Sequence, residues 1–205
     1  MISAYQCSYT FKSSLNTLEC GLWEYRYALL SIKKKTVDCL LGNLIIIKTE
    51  RVIEIRQIKY IIAKETDPYR NLALEEYLLY SVGNDECILY LWQNENTVVI
   101  GRNQNPWKEC KVKELSMDGG KMVRRLSGGG AVYHDLGNLN FTFLLTKDNY
   151  DLEKQLEVIV RAVNSLGIPA KPTGRNDITV DGRKFSGNAF FNINDKSYHH
   201  GTILV

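Results

Sequence analysis

The chain has 205 residues, 44% of them hydrophobic and 24% charged, and a formal net charge of +3. That length buries one substantial core, the balance is that of an ordinary globular protein, and +3 is too mild to argue for a nucleic-acid partner. The five cysteines are odd in number and form no C-x-x-C pair, and no stretch reaches roughly 18 unbroken apolar residues; these facts exclude a disulfide framework, a zinc finger and a membrane span, and point to reduced thiols in a cytoplasmic protein.

Residues 1–57 carry no motif and are left as an unassigned N-terminal extension, without the basic and apolar regions of a signal peptide. Within it, 40–47 and 52–55 have strand composition. The extension reads equally as an appended subdomain, a poorly ordered stretch or a segment foreign to the fold. From Lys59 the signals sharpen. Residues 59–63 predict a strand. Asp67-Pro68 marks a helix start, with Asp67 as N-cap and Pro68 at the first helical position. That helix is expected to run to Leu79, with Leu74, Tyr77 and Leu78 inward and Glu75 and Glu76 toward solvent. Residues 87–92 and 97–100 are strands by composition, separated by the turn-forming Asn94-Glu95-Asn96. The polar loop 101–105 suits either ligand contacts or a plain connection. Residues 106–115 predict a helix that contains Cys110 as a packing thiol.

The central stretch is Arg124-Arg125-Leu126-Ser127-Gly128-Gly129-Gly130-Ala131-Val132-Tyr133-His134-Asp135. Three glycines leave a bare backbone whose N–H groups can approach an anion. Two arginines bring guanidinium groups suited to carboxylate or phosphate. A bare triglycine alone favours a hairpin turn; the flanking arginines and the His-Asp pair favour an anion site. Strands are expected at 131–133 and 140–145, then an amphipathic helix over 150–166. Its stripe is Leu152, Leu156, Ile159, Val160, Val163 and Leu166, and Gly167 closes it. Residues 171–177 read as a loop. Asp181-Gly182 is a strong hairpin signal between 178–180 and 184–187. Residues 199–205 begin a further strand in which the chain stops, which is expected of a sequence incomplete at its C-terminus.

Lys184, after a tight turn and among Gly, Ser and Asn residues, suits a fixed point charge; an exposed hairpin lysine is the plainer reading. Asn176-Asp177 offers an acid one hairpin away, and turn formation is its plainer role. Together the cations, the glycine loop and one acid suit a nucleoside triphosphate beside a carboxylate. Reaction between them is in-line attack of a carboxylate oxygen on the α-phosphorus, with the protein positioning reactants and neutralising charge. Asp177 is the candidate Mg²⁺ ligand. The common nucleotide-binding and serine-hydrolase motifs are absent. His199-His200 has no metal-ligand partners at useful spacing, and His134 reads as structural at least as readily as functional.

The central stretch, continued through Leu136-Gly137-Asn138, resembles the signature of lipoate–protein ligases. So do Asp67-Pro68-Tyr69-Arg70-Asn71-Leu72-Ala73-Leu74-Glu75-Glu76, Gly101-Arg102-Asn103-Gln104-Asn105-Pro106-Trp107, Gly174-Arg175-Asn176-Asp177-Ile178, Arg183-Lys184-Phe185-Ser186-Gly187-Asn188 and His200-Gly201-Thr202, all in family order. The resemblance covers about residues 59–205 and implies an α/β (α+β) catalytic domain of the biotin/lipoate ligase type over 58–205. Its sheet would be mixed or antiparallel, with flanking helices. The implied activity is ATP-dependent formation of lipoyl-AMP with pyrophosphate release, then transfer to a lysine of an acceptor. The implied acceptors are lipoyl domains of 2-oxoacid dehydrogenase E2 subunits and the glycine cleavage H protein. By motif matching, Lys184 meets the lipoate carboxylate and α-phosphate. Arg124, Arg125, Gly129, Gly130, Ala131, Val132, Tyr133, His134, Asn176 and Asp177 line the lipoate and nucleotide, with Mg²⁺ on Asp177. The rivals are an ATP-independent octanoyl or lipoyl transferase of the same fold, which needs a cysteine nucleophile that the chain lacks after Cys110, and a truncated, non-catalytic lipoyl-binding relative.

Overall fold

The computed structural model describes residues 55–173 and 177–204. The strand expected over 40–47, residues 52–54 of the one expected over 52–55, and Asn176 lie outside these residues. Among the described residues, ten strands and four α-helices follow one another. The first strand, β1 (Gln57–Ile62), leads through Asp67 into α1 (Pro68–Ser81). Asp67 caps this helix as expected, accepting from the Tyr69 and Arg70 amides at 3.0 and 3.1 Å. It also accepts from Lys121 Nζ at 2.7 Å.

β2 (Glu86–Trp92) reads as an unbroken apolar run because both of its faces are covered. Ile88, Tyr90 and Trp92 pack with Leu78, Leu79 and Val82 from α1 and its C-cap. Cys87 and Leu89 point the other way, into a second cluster with Phe141, Phe143 and Leu145 of β6 (Asn138–Thr146). That cluster is covered by Ile159 and Val163 of α4 (Leu152–Ser165). After α4 come β7 (Ala170–Thr173), β8 (Asp177–Val180), β9 (Arg183–Ile193) and β10 (Lys196–Leu204). The large sheet has the order β1-β2-β6-β10-β9-β8-β7, antiparallel except for the parallel β1–β2 pair.

After β2 the chain leaves this sheet. Asn96 takes a left-handed conformation (φ 41°), and β3 (Thr97–Ile100) becomes the centre of a second, three-stranded sheet. Its neighbours are β4 (Lys121–Arg124), parallel, and β5 (Val132–His134), antiparallel. The observed architecture is thus the expected mixed α/β arrangement with flanking helices.

Four local expectations fail for identifiable reasons. The helix over 106–115 is two short ones, α2 (Pro106–Glu109) and α3 (Val112–Met117), broken by the extended backbone of Cys110. Neither buries a residue, so no packed face holds ten residues in one helix. Glu75 is buried, not solvent-facing, and Tyr77 is exposed instead. Leu166, counted in the apolar stripe, lies beyond the end of α4 and is exposed. The loop expected over 171–177 is strand at both ends. β7 includes Pro172, which is tolerated there because β7 is the sheet edge. The Asp181-Gly182 hairpin turn forms as expected, with φ of 49° and 76°.

Candidate active site

A cleft of about 400 Å³ opens where the two sheets meet. Leu72, Trp92, Val99, Val132 and Leu204 give it apolar walls; Arg125, the three glycines, His134, Asp177, Lys184 and His200 are its polar groups. Residues scattered over more than a hundred positions therefore share one space.

Arg125 is buried and organises the glycine loop from beneath. Its Nη2 donates to the carbonyls of Gly128 and Gly130 at 2.8 and 2.9 Å, and its Nη1 to the carbonyl of Val99 at 3.0 Å. In a trans peptide the N–H points opposite the C=O. Drawing the Gly128 and Gly130 carbonyls toward Arg125 therefore turns the next amides, Gly129 and Ala131, away from it. Ideal Cβ atoms at Gly128 and Gly130 would meet nothing within 4 Å, so a ligand has room against this backbone. Burial lowers the Arg125 pKa, with Tyr198 and Glu75 opposing.

A chain of buried groups supports Arg125. Its Nε donates to Ser127 Oγ at 3.1 Å, and Ser127 Oγ lies 2.7 Å from His200 Nε2. His200 Nδ1 meets Glu75 Oε1 at 2.9 Å, and Thr142 Oγ1 donates to the same oxygen at 2.7 Å. Glu75 on α1, a residue whose sequence context reads as surface, thus anchors the cleft floor. The only sequence signal was its place in a family motif. An acid amid apolar residues on an amphipathic helix gives no other cue.

Arg124 is used differently from its neighbour. Its Nη1 donates to the carbonyls of Gly101, Arg102 and Gln104 at 2.8–3.0 Å, clasping the loop 101–105. It does not line the cleft among the described residues. Ala131 and Tyr133 flank it in sequence without lining it, and the Tyr133 hydroxyl donates to Asn96 at 3.1 Å. Gly129, Gly130, Val132, His134, Asp177 and Lys184 do line the cleft. Asn176 is outside the described residues.

Lys184 Nζ pairs with Asp177 Oδ1 at 2.8 Å. A β-bulge makes this possible. Asp177 faces Gly187 and Ile178 faces Ser186, but Thr179 faces Lys184, skipping Phe185. Cross-strand partners share a face, so the skip brings Lys184 to the side of Thr179 and Asp177. In a regular ladder it would oppose Val180 and point to the face covered by α4. Asp177 is the one carboxylate lining the cleft among the described residues. No group of three or more His, Cys, Asp or Glu gathers for a metal ion among them. A single carboxylate nevertheless fits Mg²⁺, which takes one or two from protein and completes its shell with water and phosphate oxygen.

His134 is buried, and burial together with the nearby Arg125 charge lowers its pKa to about 4. Its Nδ1 lies 3.2 Å from Asn94 Nδ2. Neither described cysteine lines the cleft; Cys87 is in the core, where burial raises its thiol pKa to about 12. No helix among the described residues is long and apolar enough to cross a membrane.

Comparison with known proteins gives a consistent result. Residues 67–205 match the family model of the lipoyl protein ligase A/B catalytic domain. Lipoate-protein ligase A of Psychrobacter cryohalolentis is 51% identical over 140 residues, which are 68% of this chain and 41% of that protein. The chain thus spans less than half the length of that relative. The P. falciparum LipL1 crystal structure, in complex with lipoate, superposes with a TM-score of 0.68 at 41% identity, over 73% of this chain and 48% of that one. The structure of a lipoate-protein ligase A bound with ATP gives a TM-score of 0.65 at 27% identity, over 73% and 66%. The chain belongs to the lipoyl protein ligase A/B catalytic domain family.

Proposed function

We propose that the chain carries the adenylate-forming site of a lipoate–protein ligase, within a catalytic domain spanning residues 58–205. The observation that carries this reading is the meeting of a glycine loop, Arg125 and Lys184 beside an apolar wall in one cleft. The apolar wall suits the hydrocarbon part of lipoate, and Lys184 suits its carboxylate. The backbone amides around Gly129 and Gly130, with Val132 and His134, suit the nucleotide, and the reading extends to Asn176 and to the neighbouring Arg124, Ala131 and Tyr133. Attack of the lipoate carboxylate oxygen on the α-phosphorus of ATP forms the carboxyl–phosphate anhydride of lipoyl-AMP and breaks the bond to pyrophosphate. Lys184 faces the charge that develops between these groups, and the pre-set loop amides need no reorganisation as it does. Asp177 would hold Mg²⁺, which neutralises phosphate charge when bound. A lysine amine of an acceptor domain then takes the lipoyl group and AMP leaves. E2 lipoyl domains and the glycine cleavage H protein are the proposed acceptors, and the cytoplasm is the proposed location. The ATP-independent transferase alternative is disfavoured, since no thiol reaches the cleft among the described residues.

Lipoate-dependent pyrophosphate release from Mg²⁺-ATP by the 205-residue chain, without acceptor, tests the reading. Release is expected, and it should be lost in Lys184→Ala with thermal unfolding unchanged. A folded chain that binds lipoate but releases no pyrophosphate would overturn the ligase reading in favour of a binding-only relative.

A further inference from the structure

The hydrogen-bond polarity around His134 can be traced from a backbone group whose role is not adjustable. Asn71, buried on α1, has its Nδ2 at 2.8 Å from the Gln93 carbonyl. A carbonyl oxygen only accepts, so that end of the Asn71 amide is the nitrogen. Its other end accepts from the Tyr90 hydroxyl at 3.1 Å. The same Nδ2 lies 3.1 Å from Asn94, which must therefore present its oxygen there. Asn94 is wholly buried and its remaining amide end, the nitrogen, faces His134 Nδ1 at 3.2 Å. A donor against Nδ1 requires that ring nitrogen to accept. An imidazole with a bare Nδ1 carries its proton on Nε2. An imidazolium would set two N–H groups head to head in a buried site. Nε2 itself has no hydrogen-bond partner among the described residues, and His134 lines the cleft.

We infer that His134 is a fixed neutral donor that offers Nε2–H to an acceptor atom of the bound ligand, and that Asn71 and Asn94 are positioning residues that impose this polarity from the Gln93 carbonyl. The consequence for chemistry is specific. His134 does not serve as general base, and the group opposite it on the ligand is an oxygen or unprotonated nitrogen, not a cation. The depressed pKa of the buried ring agrees with a group that stays neutral near pH 7. The ligand half of this inference rests on the ligase reading; the tautomer does not.

Long-range ¹H–¹⁵N correlation spectra of the ¹⁵N-labelled chain at pH 7 read the tautomer directly. The chain has three histidines, so the signals are few, and loss of one set in His134→Gln assigns it. The Nε2–H tautomer is expected for His134. In Asn94→Asp the carboxylate can only accept, so the proton is expected on Nδ1, either as the other neutral tautomer or as imidazolium. Titrations of ATP alone and of lipoate alone complete the test. At least one affinity should fall roughly tenfold in Asn94→Asp, the scale of a lost hydrogen bond in a buried site. A wild-type His134 in the Nδ1–H or imidazolium form overturns the inference without any variant. A switched tautomer with both affinities unchanged overturns the ligand contact. A wild-type chain that shows Nε2–H yet releases no pyrophosphate counts against the ligase reading alone.

Discussion

Gly101→Ala isolates how closely the glycine loop must be held. Gly101 ends β3 and lies against the loop: an ideal Cβ there would sit 2.0 Å from the Gly129 carbonyl oxygen and 2.9 Å from its carbon. Its φ is not in the left-handed region, so alanine meets no backbone penalty of its own and the whole effect is steric. To restore an ordinary 3.4 Å contact the two backbones must part by roughly 1.4 Å, because repulsion rises steeply inside contact distance. Neither side is free to yield. The loop is held by Arg125 through the Gly128 and Gly130 carbonyls. The β3 end is held by two bonds at 2.9 and 3.0 Å, from the Arg102 amide to the Ser127 carbonyl and from the Arg125 amide to the Ile100 carbonyl. Overpacking of this kind costs about 1–3 kcal/mol, which a folded domain survives. A shift of about 1 Å in groups that position reactants costs on the order of 10²-fold in rate. We therefore expect kcat/KM for lipoate-dependent pyrophosphate release to fall about 10²-fold, while circular dichroism and thermal denaturation still report a folded chain. A folded Gly101→Ala variant with the wild-type rate would refute the reasoning, since the loop would then either move freely or play no part in the chemistry.

Three further outcomes follow from the same geometry. Glu75→Ala strips the shared acceptor from His200 and Thr142 and should lower stability by about 1–3 kcal/mol, the scale for leaving buried hydrogen-bonding groups unsatisfied; a urea midpoint equal to wild type would contradict this. Arg124→Met removes one donor nitrogen from three carbonyls, so amide exchange in 101–105 should speed up markedly while global stability changes by about 1 kcal/mol or less; unchanged exchange would show that the clasp is idle. Stability should also decline on mild acidification. Burial depresses the pKa of His134 to about 4 and of His199 to about 3, so below the usual 6.5 the unfolded chain binds protons that the native chain refuses. Each histidine then contributes a loss of about 1.4 kcal/mol per pH unit as pH falls from 6.5 toward its native value, and a flat stability profile between pH 7 and 5 would show that the rings are not held neutral.

Much of the frame could be read from the residues. The Asp67 cap, the strand at β3 and the Asp181-Gly182 turn rest on local chemistry that tertiary contacts did not override. Composition also marked β2 and β6, but not that they are neighbours. What stayed hidden depends on partners distant in the chain. The burial of Glu75 is intelligible only once His200, 125 positions later, stands beside it. The bulge at Phe185 decides which face carries Lys184, and no alternation pattern in Lys184-Phe185-Ser186 announces it. Residues 171–173 read as loop because the edge position of β7 is a property of the sheet, not of the local sequence.

The arginine pair shows why cationic motifs overstate ligand contacts. Read as sequence, Arg124 and Arg125 are two guanidinium groups waiting for an anion. In the fold, both turn donors onto carbonyl oxygens: Arg124 holds the loop 101–105 through Nη1, and Arg125 holds the glycine loop through Nε and Nη2 and Val99 through Nη1. What they leave for a ligand is indirect but better fixed, namely backbone amides turned outward by carbonyls drawn inward. Lys184 differs, since it pairs with Asp177 on a half-exposed surface. Such a pair is worth little and can be exchanged for a phosphate or carboxylate at small cost. The site thus divides its positive charge by burial. The buried guanidinium sets the shape of the glycine loop from within the fold, and the half-exposed ammonium holds an ion pair that solvent already screens.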